Sequence, residues 1–111
     1  MNDNLDTMAR LEREIEKRME AACEKNGWYV AVAMVPPETT TLHIEKFGEV
    51  PVTDADAQVA LDSAVAFAKE EFGTTATVER FDEKIPNTRA PYHVRLRLKV
   101  DASKRIQELA A

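Results

Sequence analysis

The segment from Tyr92 to Val100 restricts what this chain can fold into more than any other stretch. Val94, Leu96, Leu98 and Val100 alternate there with His93, Arg95, Arg97 and Lys99. Successive side chains of a β-strand point to opposite faces, so this pattern specifies a strand buried on one side and solvated on the other. Such a strand suits an antiparallel sheet with one covered face. The rest of the chain must then supply helices for that single face.

The flanking segments meet this requirement. Residues 5–25 carry Leu5, Met8, Leu11, Ile15, Met19 and Ala22 at three- and four-residue spacing, the mark of an amphipathic helix. Glu14 and Arg18 stand in the favourable i,i+4 order, and Asn26-Gly27 offers a stop. The run from Trp28 to Val35 is apolar and β-prone, with Trp28 and Tyr29 read as core, and Pro36-Pro37 ends it. Residues 40–47 form a second strand, paired with the first as a hairpin. Thr53 is an N-cap, followed by Asp54 and Asp56 at the positive end of a helix that runs to Phe72 and closes at Gly73. Its apolar stripe is read as Ala57, Leu61, Val65, Ala68 and Phe72. A third strand is expected at 74–81, with Thr75, Thr77 and Glu79 on its polar side. A loop follows at 82–91, then the strand at 92–100 and a short helix at 103–111. The order is α-β-β-α-β-β-α: one α+β domain over 1–111, with a four-stranded, mainly antiparallel sheet and helices on one face.

Composition bounds the function. The chain has 111 residues, 44% hydrophobic and 32% charged, with a net charge of −5. That size and balance suit one globular domain. No stretch approaches the roughly 18 apolar residues of a membrane span, and the start Met1-Asn2-Asp3-Asn4 is unlike a signal peptide, so a cytoplasmic address without membrane partners is expected. The acidic balance disfavours general binding to a nucleic-acid backbone. Cys23 stands alone and is read as a small buried hydrophobe. No metal ligand set, glycine-rich phosphate loop or cofactor motif occurs, so neither a metal nor a cofactor is expected.

The polar sheet face gathers the residues that can bind. His93, Arg95, Arg97 and Lys99 share it with His43 and Glu45 of the second strand and Glu79 of the third. Guanidinium groups hold carboxylates or phosphates by paired hydrogen bonds, and imidazole titrates near neutrality. Glu45, Arg95, Arg97 and Lys99, with Lys84 and Arg89 of the 82–91 loop, make the expected binding set. The leading expectation is a non-catalytic interaction protein that recognises a protein partner, or itself, through this face and loop. RNA binding is a weaker alternative, because strand four offers only Tyr92 as a stacking aromatic.

Another alternative comes from a resemblance. Leu42-His43-Ile44-Glu45-Lys46-Phe47-Gly48-Glu49-Val50-Pro51, followed by Thr53-Asp54-Ala55-Asp56, resembles the histidine motif of one lobe of the 2H phosphoesterases. The likeness extends from Tyr29 to Val100. It implies a phosphodiesterase acting on cyclic or 2′-linked nucleotides, hence a phosphate-bearing small molecule as ligand. His43 and His93 would be acid and base; apart from the family, such a histidine pair needs a cation for the extra negative charge, and Arg95 or Arg97 could be that cation. Family members are bilobal, so a single-lobed chain would work as a dimer. Glu45 stands where the family carries a hydroxyl. Size and resemblance together suit a small accessory factor, inhibitor or assembly factor of the phage-encoded kind.

Overall fold

A computed structural model describes residues 3–23, 27–34, 36–73 and 76–110, with the side chains of 3–6 and Ala110 left aside. The expectations for Leu5, the helix end at 24–26, Val35, Thr75 and Ala111 lie outside the described residues.

The element order is α1 (Asp3–Cys23), β1 (Tyr29–Ala33), a 3₁₀ turn (Pro37–Thr39), β2 (Thr40–Gly48), α2 (Asp54–Phe72), β3 (Thr77–Lys84), β4 (Tyr92–Val100) and α3 (Ser103–Ala110). The strands form one antiparallel sheet in the order β1-β2-β4-β3. The fold is α+β, with the helices gathered on one face. That face carries Val32, Leu42, Ile44, Val94, Leu96, Leu98 and Val100, all buried. Against them pack Ile15, Met19 and Cys23 of α1 and Ala57, Ala60, Ala64, Phe67, Ala68 and Phe72 of α2. The alanines let α2 approach the sheet closely while Phe67 and Phe72, edge-to-face at 6.4 Å, fill the far end.

Several boundaries and stripes differ from the sequence reading. In α1 the buried stripe ends on Cys23, and Ala22 is exposed. Leu11, Ile15, Met19 and Cys23 recur every four residues, so the stripe follows a single i,i+4 row. Arg18 ignores Glu14 and reaches Glu71 at 2.6 Å, which Arg105 also holds at 3.2 Å, tying α1, α2 and α3 together. In α2 the stripe shifts toward Ala60, Ala64 and Phe67, leaving Leu61 and Val65 half-buried. Thr53 caps α2 as expected, its hydroxyl accepting from the Asp56 amide at 3.1 Å, and Gly73 closes it at φ 67°. β3 extends to Lys84, so the loop shrinks to residues 85–91, closed by the Ile85 amide on the Pro91 carbonyl at 2.7 Å.

The edge at β1 is closed by α1. The Met34 amide donates to the Glu12 carboxylate at 3.1 Å and the Val32 amide to Glu16 at 3.4 Å. Both amides point away from β2, where an unpaired edge would offer them to another strand. Four residues of helix rise about 6 Å and two residues of strand about 6.8 Å, so carboxylates at i and i+4 match alternate strand amides.

Candidate functional site

The uncovered face of the sheet is organised in rows set by register. Tyr29, Glu45, Arg95 and Phe81 form one row across β1, β2, β4 and β3. Ala31, His43, Arg97 and Glu79 form the next, and Ala33, Thr41, Lys99 and Thr77 a third. Phe47, His93 and Glu83 lie at the opposite end. Six of the expected site residues therefore share one face: His43, Glu45, His93, Arg95, Arg97 and Lys99.

The charges there are mostly matched across strands. Arg97 grips Glu79 with its Nη2 at 3.1 Å from each carboxylate oxygen, and Lys99 joins the same carboxylate at 3.3 Å. These hydrogen bonds hold the Glu79 carboxyl below its ordinary range. Arg95 and Arg97 lay their guanidinium groups over the Phe81 ring, at 4.8 and 5.0 Å from its centroid. Arg95 faces Glu45 in register, yet Glu45 turns to His93 Nε2 at 2.9 Å.

The two histidines have separate surroundings. His93 is 9% exposed, stacked on Phe47 with centroids 4.2 Å apart, and within 3.9 Å of Glu83 on its other nitrogen. His43 is half-buried, and its pKa lies below the usual imidazole range because of burial and the neighbouring Arg95 and Arg97, against the opposing pull of Glu45. The expected acid/base pair is not assembled within one chain. His43 is in register with Arg97 and His93 with Phe47, an offset of four residues, or roughly 14 Å along the strands. General acid and base must each come within about 3 Å of the atoms they serve, so one phosphate cannot occupy both.

The loop residues also part from the sheet face. Lys84 belongs to β3, lies on the opposite face from Arg95, and sits 5.4 Å from the Tyr92 ring. Arg89 is exposed in the 85–91 turn.

Three aromatic residues on this face were missed by the sequence reading. Tyr29, assigned there to the core, is 63% exposed, whereas Trp28 is buried at 1%. Phe47 is 41% exposed and Phe81 is half-buried. The signal was parity: Val32 and Met34 are buried with Val30 on their side, and Tyr29 shares the other side with the small, exposed Ala31 and Ala33. Phe47 likewise shares the parity of His43 and Glu45. A shallow cleft of about 160 Å³ opens between Tyr29, Val30, Ala31, His43, Glu45 and Arg95.

Among the described residues, no three His, Cys, Asp or Glu side chains gather as a metal site, and no helix is long and apolar enough to cross a membrane. No family model, no curated protein and no solved structure matches the chain.

Proposed function

We propose that this chain is a non-catalytic interaction protein that docks a protein partner on its uncovered sheet face. The observation that carries the reading is the exposure of Tyr29 and Phe47 on a sheet whose other face already holds the core. Aromatic side chains bring large contact area at low entropic cost, and Tyr and Arg are the residues that most often anchor interfaces. The paired charges around them set register and exclude wrong partners more than they add affinity. The partner is a second copy or another protein; a concentration series in the analytical ultracentrifuge separates the two.

The test is photo-crosslinking from a benzophenone side chain placed at position 47, on the sheet face, or at position 59, on the exposed side of α2. The expected result is a discrete adduct from position 47 that disappears when Tyr29 is replaced by Lys, and none from position 59. Adducts from position 59 alone, or adducts indifferent to Tyr29→Lys, overturn the proposal.

A second reading, a phosphodiesterase working as a dimer, is favoured by one observation, the depressed pKa of His43 beside two guanidinium groups. Two copies would have to bring a histidine from each chain to one phosphate. Hydrolysis of a 2′,3′-cyclic nucleotide by the purified chain, lost in His43→Gln, is its test.

A further inference from the structure

Arg95 is the cation of β4 on the uncovered face that forms no ion pair among the described residues. Arg97 and Lys99 share Glu79, and Glu45, the residue opposite Arg95, is held by His93. Among the described residues Arg95 makes no ion pair, and its Nε is buried without a hydrogen-bond acceptor. A buried donor left without an acceptor is costly, the more so when the group is charged. Stacking on Phe81 fixes the guanidinium plane and leaves its in-plane N–H groups to be satisfied at its edge.

The cleft beside Arg95 has the matching shape. Tyr29 and Ala31 give it an apolar wall, and His43 and Glu45 line the other side. Its volume, about 160 Å³, is below the roughly 300–1,000 Å³ of ordinary small-molecule sites and suits one side chain. Glu45 places a negative charge in the lining, which repels a phosphate dianion more than a monoanion. We infer that this cleft receives a carboxylate side chain, Glu or Asp, of the docked protein, with its oxygens on Arg95 and its aliphatic stem against Tyr29 and Ala31. The inference rests on the docking reading above and names the chemistry of the partner residue.

Near neutral pH His43 is uncharged, so it offers the carboxylate one N–H donor rather than a second positive charge. The groups that face it are Arg97 and Arg95 from β4, Glu45 on its own strand and Tyr29 from β1. A bound carboxylate adds a negative charge to this set and raises the His43 pKa.

The test is an NMR titration of the full chain with N-acetylglutamate α-amide, using N-acetylglutamine α-amide and inorganic phosphate as comparison probes. The glutamate probe is expected to shift the Arg95 Nε–H and the His43 ring signals saturably at millimolar concentrations and to raise the His43 pKa. The glutamine probe should do neither. Arg95→Gln should weaken binding at least about tenfold, and Arg95→Lys, which keeps the charge and loses the fork, by several-fold. Equal shifts from the two amides, unchanged affinity in Arg95→Gln, or tighter binding of phosphate overturns the inference. Crosslinking from position 47 together with a negative titration sinks the carboxylate site alone. Carboxylate binding without such crosslinks sinks the docking reading alone.

Discussion

Removing Glu12 and Glu16 together tests how the β1 edge is closed. Each carboxylate accepts one strand amide, at 3.1 Å for Met34 and 3.4 Å for Val32, and both bonds are partly buried. Hydrogen bonds to charged groups contribute about 1.5–3 kcal/mol, and the longer bond falls below that range, so the pair is worth about 2.5 kcal/mol. Alanine at two helical positions returns a few tenths of a kcal/mol in propensity. The net loss in the double Ala variant is therefore about 2 kcal/mol. Trp28, 1% exposed, reports unfolding by fluorescence in urea. With a slope of roughly 1.5 kcal/mol/M, the midpoint should fall by about 1.3 M. The double Gln variant keeps an acceptor oxygen at both sites and should lose less than half as much. Glu14→Ala, on the solvent side of α1, should move the midpoint little. A double Ala variant indistinguishable from Glu14→Ala would refute the edge-capping argument.

Gly48→Ala should destabilise the chain by about 1–3 kcal/mol, because a Cβ there would lie 2.6 Å from the Val50 carbonyl oxygen and force the backbone to move; denaturant titration measures it. Burial raises the Cys23 thiol from 9.0 to about 11, so Ellman's reagent at pH 8 should label it only as fast as the chain opens. The raised value also means that the unfolded thiol ionises first, so the Cys23 contribution to stability is full below about pH 9 and is lost as pH rises toward about 11; Cys23→Ala should flatten that limb in pH-dependent melts. His43 is shifted in the other direction. The unfolded chain takes up its proton first as pH falls below 6.5, stability declines there, and His43→Gln should remove that part of the decline.

The covered face was legible because its code is local. Alternation in Tyr92–Val100 gave the buried and solvated sides of β4, and the caps at Thr53 and Gly73 marked α2. Strand order was not legible, since alternation says which way a side chain points and nothing about its neighbour. The histidine pair illustrates the difference. Both imidazoles lie on the polar face, as parity required, but register places Arg97 opposite His43 and Phe47 opposite His93. The fate of Arg18 was hidden for the same reason: its partner, Glu71, lies 53 residues away in sequence. Tyr29 is a different kind of miss. The segment from Trp28 to Val35 reads as a strand buried on at least one face with Trp28 and Tyr29 in the core, yet Tyr29 has the parity of Ala31 and Ala33 and is 63% exposed.

The two edges of the sheet bear on how a partner can attach. At β1 the outward amides of Val32 and Met34 are taken by Glu16 and Glu12, so a strand added there would have to displace α1. At the other edge β3 carries Glu79, Arg80, Asp82, Glu83 and Lys84, and charged edge strands resist pairing with a neighbour. Arg80 is further held by Asp82 and by Asp54 of α2. Main-chain addition is thus disfavoured on both sides, so under the proposed docking function a partner would be read through the side chains of the face itself. On that face the paired groups Arg97, Lys99, Glu79, Glu45 and His93 supply a fixed frame. Tyr29 and Phe47 supply area, and the directional element is the guanidinium of Arg95, which makes no ion pair with that frame and whose Nε lacks an acceptor. If the docking proposal holds, the partner would bring apolar surface and one well-placed acid together, since either alone satisfies only part of this arrangement.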